Sequence, residues 1–140
     1  MRRLALAPAL ALAFAVPAMA QGLPEPLTAA PGDPARGRAL VLDQQRSLCT
    51  LCHAGLVPQV PFPGDLGPDL TGVGDRLTLP ELRLRLVDSR AVNPDTIMPP
   101  FHSLDGLSRV GARWQGATIL SAQEVENVAA FLATLKGGSE

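Results

Sequence analysis

Residues 49–53 read CTLCH: Cys49-Thr50-Leu51-Cys52-His53. They hold both cysteines and one of the two histidines of a 140-residue chain. The C-x-x-C-H spacing is the attachment signature of a c-type haem, and it has a physical basis. Cysteines three positions apart on a helical turn face the same way, so both sulfurs can bond the vinyl groups along one edge of a flat macrocycle. The adjacent His53 then brings its imidazole under the iron as proximal ligand. Three other readings use the same residues. A thioredoxin-type C-x-x-C needs a strand-helix-strand setting, which the flanks do not provide. A zinc site needs four suitable ligands, and only His102 remains outside the motif. A Cys49–Cys52 disulfide would suit an exported protein but leaves His53 idle. The motif therefore predicts one haem c, bound covalently through Cys49 and Cys52.

Export is indicated independently. The chain begins MRRLALAPALALAFAVPAMA, with Arg2 and Arg3 ahead of an apolar run over residues 4–16 and a small-x-small end at Ala18-Met19-Ala20. Positive charge, a short apolar core and small residues at the end describe a signal peptide over residues 1–20, cut before Gln21. The run is too short to span a bilayer comfortably, so no membrane span is expected in the mature protein. The periplasm is the expected compartment. Removing Arg2 and Arg3 shifts the formal charge from −1 to −3. Lys136 is the only lysine and no basic run appears, which argues against nucleic acid as a partner.

Residues 21–32, QGLPEPLTAAPG, are proline-rich and aperiodic and read as a flexible N-terminal arm. The domain proper is expected over 33–137. Asp33-Pro34 reads as an N-cap followed by proline at the first helical position, with a helix running on through ARGRALVLDQQR. Residues 54–76 are rich in glycine and proline and read as a long structured loop. Thr78 and Glu81 form a capping box ahead of a second helix, and Ser121 and Glu124 form another ahead of the last. In that last helix Val125, Val128, Ala129, Leu132 and Leu135 recur at helical spacing. Gly137 supplies its stop. No strand pattern stands out, so the class is all-α with long loops. A domain this small buries little apolar surface from its own side chains, and a bound macrocycle would fill its middle.

A second ligand for the iron is sought in residues 96–102, TIMPPFH. Without residues 1–20, Met98 is the only methionine and His102 the only histidine besides His53. Pro99 disfavours helical geometry at Met98 and makes it extended, which suits a thioether presented from a loop. Given the haem motif, Met98 is the preferred distal ligand and His102 the alternative. Thioether ligation raises the reduction potential relative to two imidazoles.

Several longer stretches carry a resemblance. GRALVLDQQRSLCTLCHAG, GDLGPDLTGVGDRL, VDSRAVNPDTIMPPF and GATILSAQEVENVAAFLATLK together resemble the SoxX family, the monohaem c-type cytochrome subunits of the sulfur-oxidising SoxAX complex. NPDTIMP and the last stretch are far more specific than C-x-x-C-H. The resemblance implies a class I cytochrome c-like fold, with three to four helices and long loops around one covalently bound haem. It implies thioether bonds at Cys49 and Cys52, His53 as proximal ligand and Met98 as distal ligand. Gly37 would let the first helix cross closely over the last. The Pro68 carbonyl, in the GPDL loop, would hold the second nitrogen of His53. The implied partner is the SoxA cytochrome subunit, in a heterodimer whose reaction, that of L-cysteine S-thiosulfotransferase, joins thiosulfate to a cysteine of the SoxYZ carrier. A small soluble cytochrome would accept the electrons. The chain would be a redox subunit with no catalytic residue of its own. A free-standing periplasmic electron shuttle would share every haem feature.

Overall fold

The structure, a computed structural model, describes residues 22–137. The expected signal peptide lies outside the described residues. Among the described residues four α-helices follow in order: α1 (Pro34–Leu42), α2 (Val73–Arg76), α3 (Leu79–Asp88) and α4 (Ala122–Thr134). Single 3-10 turns occur at Cys49–Leu51, Ser89–Ala91 and Ala112–Trp114. No strand occurs among the described residues, so the class is the expected all-α one with long loops.

The helix starts follow from their caps. Asp33 Oδ1 accepts the amides of Ala35 and Arg36 at 2.8 and 3.2 Å, and Pro34 fills the first helical position, where no amide is needed. At α3 the Glu81 carboxylate accepts from the Thr78 amide and hydroxyl, at 2.8 and 2.7 Å. At α4 the Ser121 amide donates to Glu124 Oε2 at 2.8 Å, closing the second box. One end differs from expectation. The first helix stops at Leu42 rather than running on to Arg46. Asp43 Oδ1 takes the Gln45 amide at 2.9 Å and its carbonyl takes the Ser47 amide at 3.1 Å. That local alternative outcompetes another helical turn. The short α2 lies in a stretch that reads as loop.

Helix α1 packs against α4, and α3 packs on α4 from another side. The α1 contact is close because residue 37 has no side chain. A Cβ added at Gly37 would lie 2.0 Å from the Asn127 carbonyl oxygen, so backbone meets backbone there. Val41, Leu82, Leu86, Val125, Val128 and Leu132 fill the space between these helices, with Phe101 and Leu120 closing it from the loops. Each such aliphatic side chain stabilises the fold by about 1.5–3 kcal/mol through burial.

Arg83 and Glu126 form a buried ion pair inside this apolar packing. Their side chains are 3% and 4% exposed and meet through two bonds, Nε to Oε1 at 2.6 Å and Nη2 to Oε2 at 3.0 Å. The remaining valences go to the N-terminal arm. Arg83 Nη1 donates to the Leu23 carbonyl at 2.5 Å, and the Leu27 amide donates to Glu126 Oε1 at 2.9 Å. Leu23 also donates its amide to the Pro80 carbonyl, and Thr28 bonds Gln123. Residues 22–32 are thus docked on α3 and α4, held by partners too remote in sequence to show in their own composition. Burial pushes the Glu126 carboxyl up, but the bonds from Arg83 and Leu27 and the Arg83 charge outweigh it. The net effect holds it below the usual carboxylate range.

Candidate functional site

The CTLCH turn is set up by the chain leaving α1. The amides of Arg46, Ser47 and Leu48 all point at the Asp43 carbonyl, and Leu48 takes a left-handed backbone (φ 56°) that redirects the chain into the Cys49–Leu51 turn. Cys52 and His53 then donate their amides to the Cys49 carbonyl at 3.2 and 3.0 Å. Both cysteines are half-buried free thiols, not joined to each other. Burial pushes the Cys49 thiol up, against weaker lowering by its own contacts such as the one to Ser47. No strand flanks the turn among the described residues, so the strand-helix-strand setting of a thioredoxin-type C-x-x-C is not found there.

A second segment wraps the turn. Gly64 donates its amide to the Thr50 carbonyl at 2.9 Å, Gly67 to Cys52 at 2.7 Å, and Leu70 to Ala54 at 3.0 Å. These three bonds lay GPDL along CTLCH. His53 Nδ1 lies 2.8 Å from the Pro68 carbonyl oxygen. A carbonyl can only accept, so Nδ1 carries the proton and Nε2 presents its lone pair. Gly67 lies against the face of the same ring: an added Cβ would sit 2.4 Å from His53 Cε1. The loop is stiffened from below. Asp69 Oδ1 accepts the Thr71 amide at 2.6 Å, and Arg76 reaches the carbonyls of Thr71 and Asp69.

Met98 stands on a different loop, half-buried, and like Cys49 it packs against the main core. That loop is hung on the end of α3. Phe101 and His102 donate their amides to the Leu86 and Val87 carbonyls at 3.1 and 3.2 Å, using oxygens that the helix end leaves free. Ser89 Oγ donates to the Met98 carbonyl at 3.0 Å. His102 is turned to another task. Its Nδ1 donates to the Leu120 carbonyl at 2.8 Å, while Leu120 donates its amide to the Phe101 carbonyl at 2.9 Å. His102 thereby ties the Met98 loop to the chain entering α4.

Cys49, Cys52 and His53 thus share one turn, and Met98 and His102 share a second loop. Ser89, Thr96 and Gly67 escape a reading of the sequence, because each acts through a neighbour that only the fold supplies. Large apolar side chains are left exposed near both segments: Leu51, Phe62, Leu66 and Ile97. Two clefts lie beyond Pro99 and Pro100 and share Leu107, Val110 and Trp114. None of Cys49, Cys52 and His53 lines either cleft, so they are not the space beside the CTLCH turn.

No protein-family model matches the chain, and a comparison with curated proteins gives no match. Among solved structures the chain is similar to one in the crystal structure of SoxXA from P. pantotrophus. The two are 38% identical with a TM-score of 0.76, over 83% of this chain and 90% of that one. At that identity and coverage the likeness extends beyond the fold to the family, and the sequence stretches noted above agree with it. The chain belongs to the SoxX family of class I cytochrome c-like subunits.

Proposed function

We propose that the chain is the electron-transfer subunit of a periplasmic SoxAX complex and holds one haem c. In this reading Cys49 and Cys52 form the two thioether links, His53 offers Nε2 to the iron and Met98 offers its thioether. The residues fit such a group. Two unpaired thiols stand at the right spacing, the bond to Pro68 leaves Nε2 free to ligate, and Gly67 leaves room for the ring where any side chain would collide. Bound haem c would supply a one-electron iron couple, and having a neutral thioether among its ligands would favour the reduced form.

The chain's own residues do three things in this scheme. The cysteines hold the group permanently, so it is not lost in exchange with solvent. The Pro68 carbonyl fixes the His53 tautomer and ring plane. Met98 would hold the group from the second loop through its thioether, a ligand set that would suit electron transfer. Joining thiosulfate to a carrier cysteine releases two electrons and a proton. The SoxA subunit would carry out that conjugation on SoxYZ, and this chain would pass the electrons to a small soluble cytochrome. The observation that carries the proposal is the near full-length likeness to a chain of SoxXA.

The chain would be exported by its first 20 residues and cleaved before Gln21. No helix among the described residues is long and apolar enough to cross a membrane. The test is purification of the native protein from periplasm, with mass analysis of its N-terminus and of what accompanies it. A SoxA-type cytochrome should co-purify, and the pair should become reduced on thiosulfate only when the SoxYZ carrier is present. A chain that purifies alone and supports no such reduction would be a free-standing shuttle, contrary to the proposal.

A further inference from the structure

We infer that Ser89 is a positioning residue for Met98, fixing the backbone from which the thioether is presented. The inference rests on the proposed role of Met98 as ligand. Its starting point is a shortage of backbone donors. Pro99 and Pro100 have no amide hydrogen, so the loop cannot hang on α3 through the residues next to Met98. The next amides, of Phe101 and His102, do dock, on the Leu86 and Val87 carbonyls. On the other side of the proline pair, the anchors of Met98 itself are two hydroxyls. Its amide donates to Thr96 Oγ1 at 3.2 Å, and its carbonyl accepts from Ser89 Oγ at 3.0 Å.

The two hydroxyls are not equivalent. Thr96 travels with the loop, so its bond shapes the segment without attaching it to anything. Ser89 belongs to the scaffold. It directly follows α3, is 6% exposed, and its own carbonyl accepts the amides of Val92 and Asn93, each at 3.0 Å. The preceding Asp88 locks that turn further, by accepting the Arg90 amide at 3.1 Å and pairing with its guanidinium. Leu86, Val87 and Ser89 therefore form one rigid row of anchors, and Ser89 alone grips the Met98 side of the prolines. A thioether is a weak iron ligand, so its hold on the metal depends on how little the backbone behind it can retreat.

The test uses haem-loaded protein and follows two signals of the oxidised form: the far-red sulfur-to-iron band and the rate at which added imidazole displaces the sixth ligand. In Ser89→Ala the loss of one buried hydrogen bond should speed imidazole binding about fivefold and weaken the band. Ser89→Thr, which keeps the hydroxyl, should stay close to the parent. Glu126→Gln weakens the fold at the arm and serves as a control; it should lower stability without speeding imidazole binding. A parent-like rate in Ser89→Ala, or equal acceleration in Glu126→Gln, would overturn the inference while leaving Met98 as ligand. A parent protein whose far-red band survives Met98→Leu, or that has no such band, would overturn both.

Discussion

His53 and Met98 are held by different kinds of structure. His53 sits on a tight turn whose hydrogen bonds are nearly all backbone to backbone, and its ring nitrogen is bonded directly to the Pro68 carbonyl. Its supports, residues 49–70, form one continuous piece of chain. Met98 stands on a loop broken by prolines, fastened through the hydroxyl of Ser89 and the spare carbonyls at the end of α3. Its thioether is steered by the backbone behind it and by packing against the core. The first arrangement resists side-chain substitution except where a side chain would be added, as at Gly67. The second can be loosened by removing a single oxygen.

Both arrangements stand on the same helices, so the largest expected effect lies beneath them. Glu126→Gln leaves the buried Arg83 charge unpaired and should cost about 3–5 kcal/mol of stability, read from denaturant unfolding. The His53 turn and the Met98 loop should lose stability together, with spectra in the folded state unchanged. The pair also sets a pH dependence. The folded Glu126 pKa lies below its ordinary value of 4.5. Its contribution is therefore full above that value and fades as pH falls through the lowered pKa. In the Gln variant this acid-side loss of stability should shrink.

A smaller change separates the His53 turn from the Met98 loop. Gly67→Ala puts a methyl where the His53 ring now lies and should cost about 1–3 kcal/mol. Less haem should be attached per mole of chain, measured by absorbance against protein mass, while imidazole displacement at the Met98 side should change less. Smaller still, His102→Ala removes the bond to the Leu120 carbonyl and should cost about 1 kcal/mol in a melting experiment. It should leave the axial ligands in place.

The legible parts of the fold are those whose partners are close in sequence. Asp33-Pro34, Thr78 with Glu81 and Ser121 with Glu124 mark their helix starts because a cap and its amide lie within three residues. CTLCH is legible for the same reason. The end of α1 is not, since Asp43 competes for amides that a helix pattern would also claim. Arg83 reads as one polar position among leucines; its burial depends on Glu126, 43 residues away, and on an arm whose composition looks featureless. The bond from His53 to Pro68 is expected from family resemblance alone, because a GPDL sequence by itself describes only a turn. Ser89 carries no signal in the sequence, as a serine after a helix is ordinary until the loop carrying Met98 folds back onto it.

The most direct test of this account is the oxidised spectrum of the haem-loaded protein beside its Met98→Leu and His102→Ala variants. Ligation by His53 and Met98 predicts a far-red sulfur-to-iron band in the parent, lost in Met98→Leu and kept in His102→Ala. A band unaffected by Met98→Leu, or spectra altered at the iron by His102→Ala and not by Met98→Leu, would contradict it.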